Sequence, residues 1–86
     1  MALKIIGGAD GVQERIESAI RAALPGSQVQ VKAGGAGHFE VSVVAEAFRG
    51  KSMVQQHQMV YGAIAPLMAG DAPPVHAIDR LSTKAP

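Results

Sequence analysis

The stretch that decides the fold is Phe48-Arg-Gly-Lys-Ser-Met-Val-Gln-Gln-His-Gln-Met-Val-Tyr61, because a glycine turn, a helix cap and an amphipathic pattern meet in it. Gly50 can adopt backbone angles that residues with a Cβ resist, so it can close a short turn after Phe48. Ser52 can then cap the following helix by accepting hydrogen bonds from its free N–H groups. A long helix is therefore predicted to start at Met53.

Five positions of this helix share one face, because they recur at steps of four and three: Met53, His57, Val60, Ile64 and Leu67. The face is apolar except for His57, so Val60 and Ile64 are predicted to be buried against a sheet. A histidine there is most simply a structural, half-buried residue that is hydrogen-bonded to the backbone or to a neighbouring side chain. The helix is expected to continue toward Met68, with a kink at Pro66.

The upstream part of the chain predicts a first helix. Asp10 and Gln13 resemble a capping box, and apolar residues follow at helical spacing as far as Leu24. Pro25 then stops the helix, because proline cannot donate the next backbone hydrogen bond. Residues 1–9 have no recognisable period, so they are interpreted as an extended or mobile lead-in.

Two strands are predicted after this helix, because apolar and polar residues alternate with a period of two in two runs. The apolar positions are Val29 and Val31 in the first run, and Phe39, Val41 and Val43 in the second. The glycine-rich residues 33–37 between the runs are interpreted as the loop of an antiparallel hairpin. A brief helical turn over residues 45–48 then leads to Gly50.

A third strand is predicted over residues 75–82, and a tail over residues 84–86. One face of this strand would carry Val75, Ala77 and Leu81, and the other face His76, Ile78 and Arg80. The order α-β-β-α-α-β predicts a single small α+β domain, in which helices cover one face of a three-stranded mixed sheet. A second strand that leads through helices to a third strand of the same sheet favours a right-handed, parallel connection.

Composition limits both the core and the possible partners. The chain has 86 residues and is 48% hydrophobic with two Phe and one Tyr, so one small and largely aliphatic core is expected. A formal net charge of +1 without runs of like charge does not predict indiscriminate binding to nucleic acid. No stretch is apolar enough for a secretory signal or a membrane span, so a soluble, cytoplasmic protein that does not enter membranes is the expectation.

The absence of cysteine rules out thiolate chemistry from this chain. An enzyme with paired carboxylates is not predicted either, because Glu40, Glu46, Asp71 and Asp79 fall on different elements without a shared motif. Nitrogen ligands for a metal could come only from the three histidines. From pattern alone, His76 is a polar residue at a strand end, and the ring of His38 can face solvent or pair across the hairpin.

The order of these motifs resembles the BolA family. The resemblance rests on Phe-x-Gly-Lys-Ser-x-Val-Gln-Gln-His-Gln-Met-Val-Tyr, preceded by His38-Phe39 and followed by Val75-His76-Ala77. It implies a fold similar to the type II KH domain over residues 10–83. It also implies an adaptor that pairs with a monothiol glutaredoxin and glutathione and shares a bridging [2Fe-2S] cluster, acting in iron–sulfur trafficking or iron homeostasis. When alone, such a chain is expected to be a monomer or a weak homodimer.

The resemblance also implies the ligands of that cluster. The family's C-terminal histidine ligand corresponds to His76, whereas the usual second ligand lies in the hairpin loop, where this chain has Gly-Gly-Ala at residues 34–36. His38 is the nearest substitute. Imidazole is a competent ligand for iron, and the thiolates would have to come from the partner.

Binding to DNA or RNA is the alternative function, because the implied fold is KH-like and some BolA-like proteins are regarded as transcriptional or stress regulators. A KH domain clamps the nucleic-acid backbone with a Gly-x-x-Gly turn between two helices. The corresponding turn here starts at Gly50 but has Met53 in place of the second glycine. Arg49 and Lys51 remain as candidate phosphate-binding residues.

Overall fold

The long helix starts at the predicted residue in the computed structural model, which describes residues 11–86. Ser52 Oγ accepts a hydrogen bond from the N–H of Gln55 at 3.1 Å, and Gln55 Oε1 accepts one from the N–H of Ser52 at 2.9 Å. This capping box begins helix α2, Met53–Ile64. Gly50 precedes it with a φ of 78°, the left-handed conformation that a glycine turn uses.

Helix α2 ends earlier than predicted. Its α-helical part stops at Ile64, and Ala65–Leu67 continue it as one turn of 3-10 helix. Pro66 explains the change, because it has no N–H for the bond that an α-helix would need at that position. The helix therefore continues toward Met68, as predicted, but its last turn is a 3-10 helix instead of an α-helix.

Helix α1, Val12–Ala23, matches the first predicted helix but not its predicted cap. The N-cap residue is Gly11, without a side-chain hydrogen bond, and Gln13 Nε2 instead donates to the carbonyl of Val31 at 2.9 Å. Gln13 therefore ties the helix to the neighbouring strand. Asp10 and the predicted lead-in at residues 1–9 lie outside the described residues.

The three predicted strands form one mixed sheet in the order β1-β2-β3. Strands β1, Gln28–Ala33, and β2, His38–Val44, pair antiparallel, and β2 pairs in parallel with β3, Ala77–Lys84. A 3-10 turn at Glu46–Phe48 follows β2. The predicted α+β fold with a parallel connection from β2 to β3 is thus confirmed.

Strand β3 corrects three details of the sequence interpretation. It begins at Ala77 because the N–H of Val75 bonds to Leu67 instead of to the sheet, and it includes Lys84, the first residue of the predicted tail. Its register on β2 also shifts, since Phe39 pairs with Ile78 whereas Glu40 pairs with Arg80. Asp79 is therefore an extra residue without a partner, as in a β-bulge. The bulge moves Ile78 onto the same face as Leu81, so the predicted split of these two residues is wrong.

The core lies between the helices and one face of the sheet. It is aliphatic apart from the two phenylalanines, and its largest fully buried side chains are Phe48, Ile16, Ile20, Ile64, Val41, Val43, Val60 and Val75. The other face of the sheet carries exposed polar residues such as Gln30, Ser42 and Arg80. Met53 is 57% exposed although it shares the predicted apolar stripe, because α2 begins outside the core and its first three residues are all exposed. No helix within residues 11–86 is both long and apolar enough to cross a bilayer.

Candidate functional site

Two of the predicted site residues meet at one end of the parallel strand pair. The carbonyl of Gly37 accepts hydrogen bonds from the N–H groups of His76, at 2.8 Å, and of Ala77, at 3.1 Å. His38 is the residue that pairs with Ala77 in the register of β2 and β3. The hairpin loop and the start of β3 therefore bring His38 and His76, which lie far apart in the sequence, to neighbouring positions.

The ring of His76 packs directly against Gly37. Gly37 has a φ of 73°, and a Cβ built on it would lie 2.7 Å from Cγ of His76 and 3.0 Å from both Cδ2 and Nδ1. Only glycine lets the ring approach the loop backbone this closely. His76 is exposed, and its ring makes no hydrogen bond or ion pair within residues 11–86. The ring therefore has no hydrogen bond there to give up before it binds a ligand from outside the chain.

His38 has a carboxylate partner that sequence reasoning missed. Its Nδ1 lies 3.0 Å from Oδ1 of Asp79, and the two side chains are 44% and 51% exposed. Asp79 is the unpaired residue of the bulge in β3. The interaction therefore runs across the parallel pair, from β2 to β3, and not across the hairpin. The period-two pattern carried no signal for it, because that pattern assumes an unbroken ladder.

The site offers a metal two imidazole donors, one from His76 and one from His38. Within the described part of the chain, no group of three or more histidine, cysteine or acidic residues could hold a metal ion. The hairpin loop has no donor side chain at residues 34–36, and the chain has no cysteine. His76 and His38 can supply imidazole nitrogens, which are suitable for iron, while sulfur ligands would have to come from another molecule.

The two basic residues of the alternative function differ in their surroundings. Arg49 donates to both carboxylate oxygens of Glu46, from Nε at 2.6 Å and Nη2 at 3.1 Å, and Nη2 also donates to the carbonyl of Pro86 at 3.0 Å. The hydrogen bonds from Arg49 lower the pKa of Glu46. Lys51 is exposed, and its ammonium group has no ion pair among residues 11–86. Only Lys51 is therefore free to meet a phosphate without giving up an existing contact.

His57 lies on α2, in the second turn of the helix. It is half-buried, and its Nε2 is buried without a hydrogen-bond partner in the part of the chain that the structure describes. The predicted hydrogen bond to the backbone or a neighbour is therefore not found there. Burying a polar atom without a hydrogen bond costs free energy, so this nitrogen should lower the stability of the fold.

Comparison with known proteins identifies the family. A protein-family model described as BolA-like protein matches residues 17–86, which is well over half of the chain. The chain belongs to the BolA-like family. The BolA-like protein 1 of Pongo abelii is 39% identical to this BolA-like chain over 64 residues, which are 74% of the chain and 39% of that relative. The match thus spans well under half of the relative's own length.

Solved structures agree with the fold of this BolA-like chain. The solution structure of BolA1 from Mus musculus has a TM-score of 0.71 at 28% identity, with coverage of 100% of this chain and 76% of that one. A BolA homologue from Coxiella burnetii has a TM-score of 0.68 at 31% identity, with coverage of 85% and 88%. The family resemblance predicted from the motifs is therefore confirmed, and so is the BolA-like α+β fold.

Proposed function

We propose that this BolA-like chain is an adaptor that binds a monothiol glutaredoxin and shares a bridging [2Fe-2S] cluster with it and with glutathione. The chain contributes imidazole nitrogens from His76 and His38, and the partner contributes the sulfur ligands. The role is to carry or sense the cluster in iron–sulfur trafficking or iron homeostasis, without turnover of a substrate.

One observation carries the proposal, namely the exposed ring of His76 packed on Gly37 beside His38. The ring lies so close to Gly37 that a Cβ at this position would clash with it, so the loop and the ring have defined positions relative to each other. The bonds from the N–H groups of His76 and Ala77 to Gly37 fix the backbone that carries the His76 ring before any partner arrives. A pre-organised donor loses less conformational entropy when it binds. The lack of cysteine agrees with a cluster whose sulfur ligands come from elsewhere.

Anaerobic reconstitution of the chain with a monothiol glutaredoxin, glutathione, iron and sulfide tests the proposal. A mixed complex should give visible absorption and circular dichroism different from those of glutaredoxin alone. His76→Ala should keep nearly the wild-type stability, because its ring is exposed and its backbone bonds remain, yet it should yield a labile cluster or the spectrum of the glutaredoxin homodimer. His57→Ala is the control, since it removes a histidine on α2 and should leave the spectrum unchanged. A wild-type mixture with the spectrum of glutaredoxin alone would refute the proposal.

Nucleic-acid binding is the weaker alternative. The KH-like order of elements and the exposed Lys51 support it. Three features count against it: Arg49 is engaged by Glu46, Met53 replaces the second glycine of the clamp, and the net charge is only +1. Electrostatic attraction supplies most of the non-specific affinity for nucleic acid, so a surface with one free cation at the clamp should bind weakly.

A further inference from the structure

The bulge in β3 puts a carboxylate next to the proposed second ligand. Between the pairs Phe39–Ile78 and Glu40–Arg80, strand β3 has one residue more than β2, and this residue is Asp79. Bulges re-aim side chains and are frequent next to functional sites. Here the re-aimed side chain lies with Oδ1 3.0 Å from Nδ1 of His38.

This contact determines which nitrogen of His38 is available to a metal. An ionised carboxylate can only accept hydrogen bonds, so Nδ1 of His38 must carry the hydrogen and donate it to Asp79. In a neutral imidazole the other nitrogen, Nε2, then keeps its lone pair. Histidines that ligate metals commonly donate their second ring N–H to a carboxylate in this way, which fixes the tautomer and the ring orientation and raises the basicity of the ligand.

We propose that Asp79 is a positioning residue for the metal site: its carboxylate holds His38 in the tautomer and orientation in which Nε2 can bind the shared cluster. The inference rests on the proposed function and goes beyond it, because it explains how His38 can act where the hairpin loop lacks a ligand at residues 34–36. The alternative is a surface ion pair with no further role. Pairs as exposed as this one contribute little to stability, so the two explanations differ in ligand behaviour and not in folding.

The test compares cluster loss from mixed complexes assembled with glutaredoxin. The complexes contain wild type, Asp79→Ala, His38→Ala or the double variant, and an iron chelator is added while the visible circular dichroism is followed. Asp79→Ala should accelerate cluster loss about 10-fold, the lower end of the range for such outer partners. The double variant should behave like His38→Ala, because Asp79 acts only through His38. Asp79→Asn keeps the size but not the charge, and should fall between Asp79→Ala and wild type.

Glu40→Ala is the matched control, since it removes one exposed negative charge from the adjacent position of β2 without touching His38. It should leave the rate of cluster loss unchanged. If Asp79→Ala loses its cluster no faster than Glu40→Ala, or if the effects of Asp79→Ala and His38→Ala simply add, Asp79 has no positioning role. That outcome would leave the proposed function intact. A wild type that docks to glutaredoxin by calorimetry but forms no mixed cluster would instead refute the proposed function, and this inference with it.

A second measurement needs neither glutaredoxin nor a cluster. Long-range proton–nitrogen NMR correlations report which ring nitrogen of a histidine carries the hydrogen. In the free wild-type chain, neutral His38 should be mainly the tautomer with hydrogen on Nδ1, and Asp79→Ala should shift the population away from it. The tautomers of His57 and His76 should not change. Equal His38 tautomer populations in wild type and Asp79→Ala would overturn the inference.

Discussion

Gly37→Ala is the substitution that most directly perturbs the contact between Gly37 and the ring of His76. Gly37 has a φ of 73°, and holding a residue with a Cβ in this left-handed region costs about 1–2 kcal/mol. The added Cβ would also lie 2.7 Å from Cγ of His76, which is the root of the ring and cannot move without moving the whole side chain. Because His76 is exposed, its ring can turn toward solvent, and relieving the contact should cost about 0.5–1.5 kcal/mol, as for a side chain moved off its preferred rotamer. The free energy of unfolding should therefore fall by about 1.5–3.5 kcal/mol.

Urea unfolding, with Gly26→Ala as the matched control, separates the two contributions. Gly26 has a φ of 81° but nothing within 4 Å of an added Cβ, so its substitution by alanine should cost only the backbone term of about 1–2 kcal/mol. The excess loss in Gly37→Ala then measures the contact with His76. In a His76→Ala background this excess should disappear, because the ring that the new methyl group meets is no longer there.

The clash between the new methyl group and the ring of His76 should also change the cluster that the chain shares with glutaredoxin. Gly37→Ala moves the ring of His76, so its mixed complex with glutaredoxin should have an altered visible circular dichroism spectrum, whereas that of Gly26→Ala should match wild type. The reasoning fails if Gly37→Ala is no more destabilising than Gly26→Ala. It also fails if the excess loss persists without the His76 ring, since the clash would then lie elsewhere in the loop.

Three further substitutions test the core, the helix histidine and the alternative function. Ile64→Ala should lower the free energy of urea unfolding by about 2–5 kcal/mol, because the side chain is fully buried. Gln58→Ala is the control and should lower it by almost nothing, because Gln58 is exposed. Equal urea midpoints for the two variants would contradict the packing of α2. His57→Leu should keep or raise the thermal midpoint, since it replaces a ring whose buried Nε2 has no partner among residues 11–86; a fall of several degrees would mean that the nitrogen is hydrogen-bonded after all. Lys51→Ala should weaken any DNA binding more than Arg49→Ala does, as seen by fluorescence anisotropy at low salt, and the opposite order would contradict the engagement of Arg49 by Glu46.

The fold was predictable because its strongest signals are local. The alternation of valines, the helical spacing of apolar residues and the Ser52 cap each involve residues within one element. The errors lie where a distant contact competes with a local one. Gln13 suits a capping box, but its amide bonds to Val31 of the neighbouring strand instead. Met53 has the spacing of a core residue, but spacing alone does not tell where along a helix the core ends.

The candidate site was predictable only in part. His76 and His38 were singled out by the family resemblance, because neither has a local pattern that marks a ligand. Their proximity follows from the parallel register of β2 and β3, which no local signal reports. The glycine-rich composition predicted only a hairpin loop, whereas in the structure Gly37 has a φ of 73° and packs against the ring of His76. Because glycine has no side chain, the alternation of apolar and polar residues carries no information about its contacts.

The local sequence does not predict the bulge at Asp79, but the energies of the two possible registers of β3 on β2 explain it. If the ladder continued unbroken after the pair of Phe39 and Ile78, Arg80 would lie opposite the buried Val41 and its guanidinium would enter the core. Burying an unpaired charge costs several kcal/mol, and Leu81, which is half-buried, would lose part of the about 1.5–3 kcal/mol that full burial of a leucine contributes. The bulge gives up about one ladder hydrogen bond, worth about 0.5–1.5 kcal/mol. The shifted register therefore prevails, and the residue that it leaves unpaired is the aspartate that contacts His38.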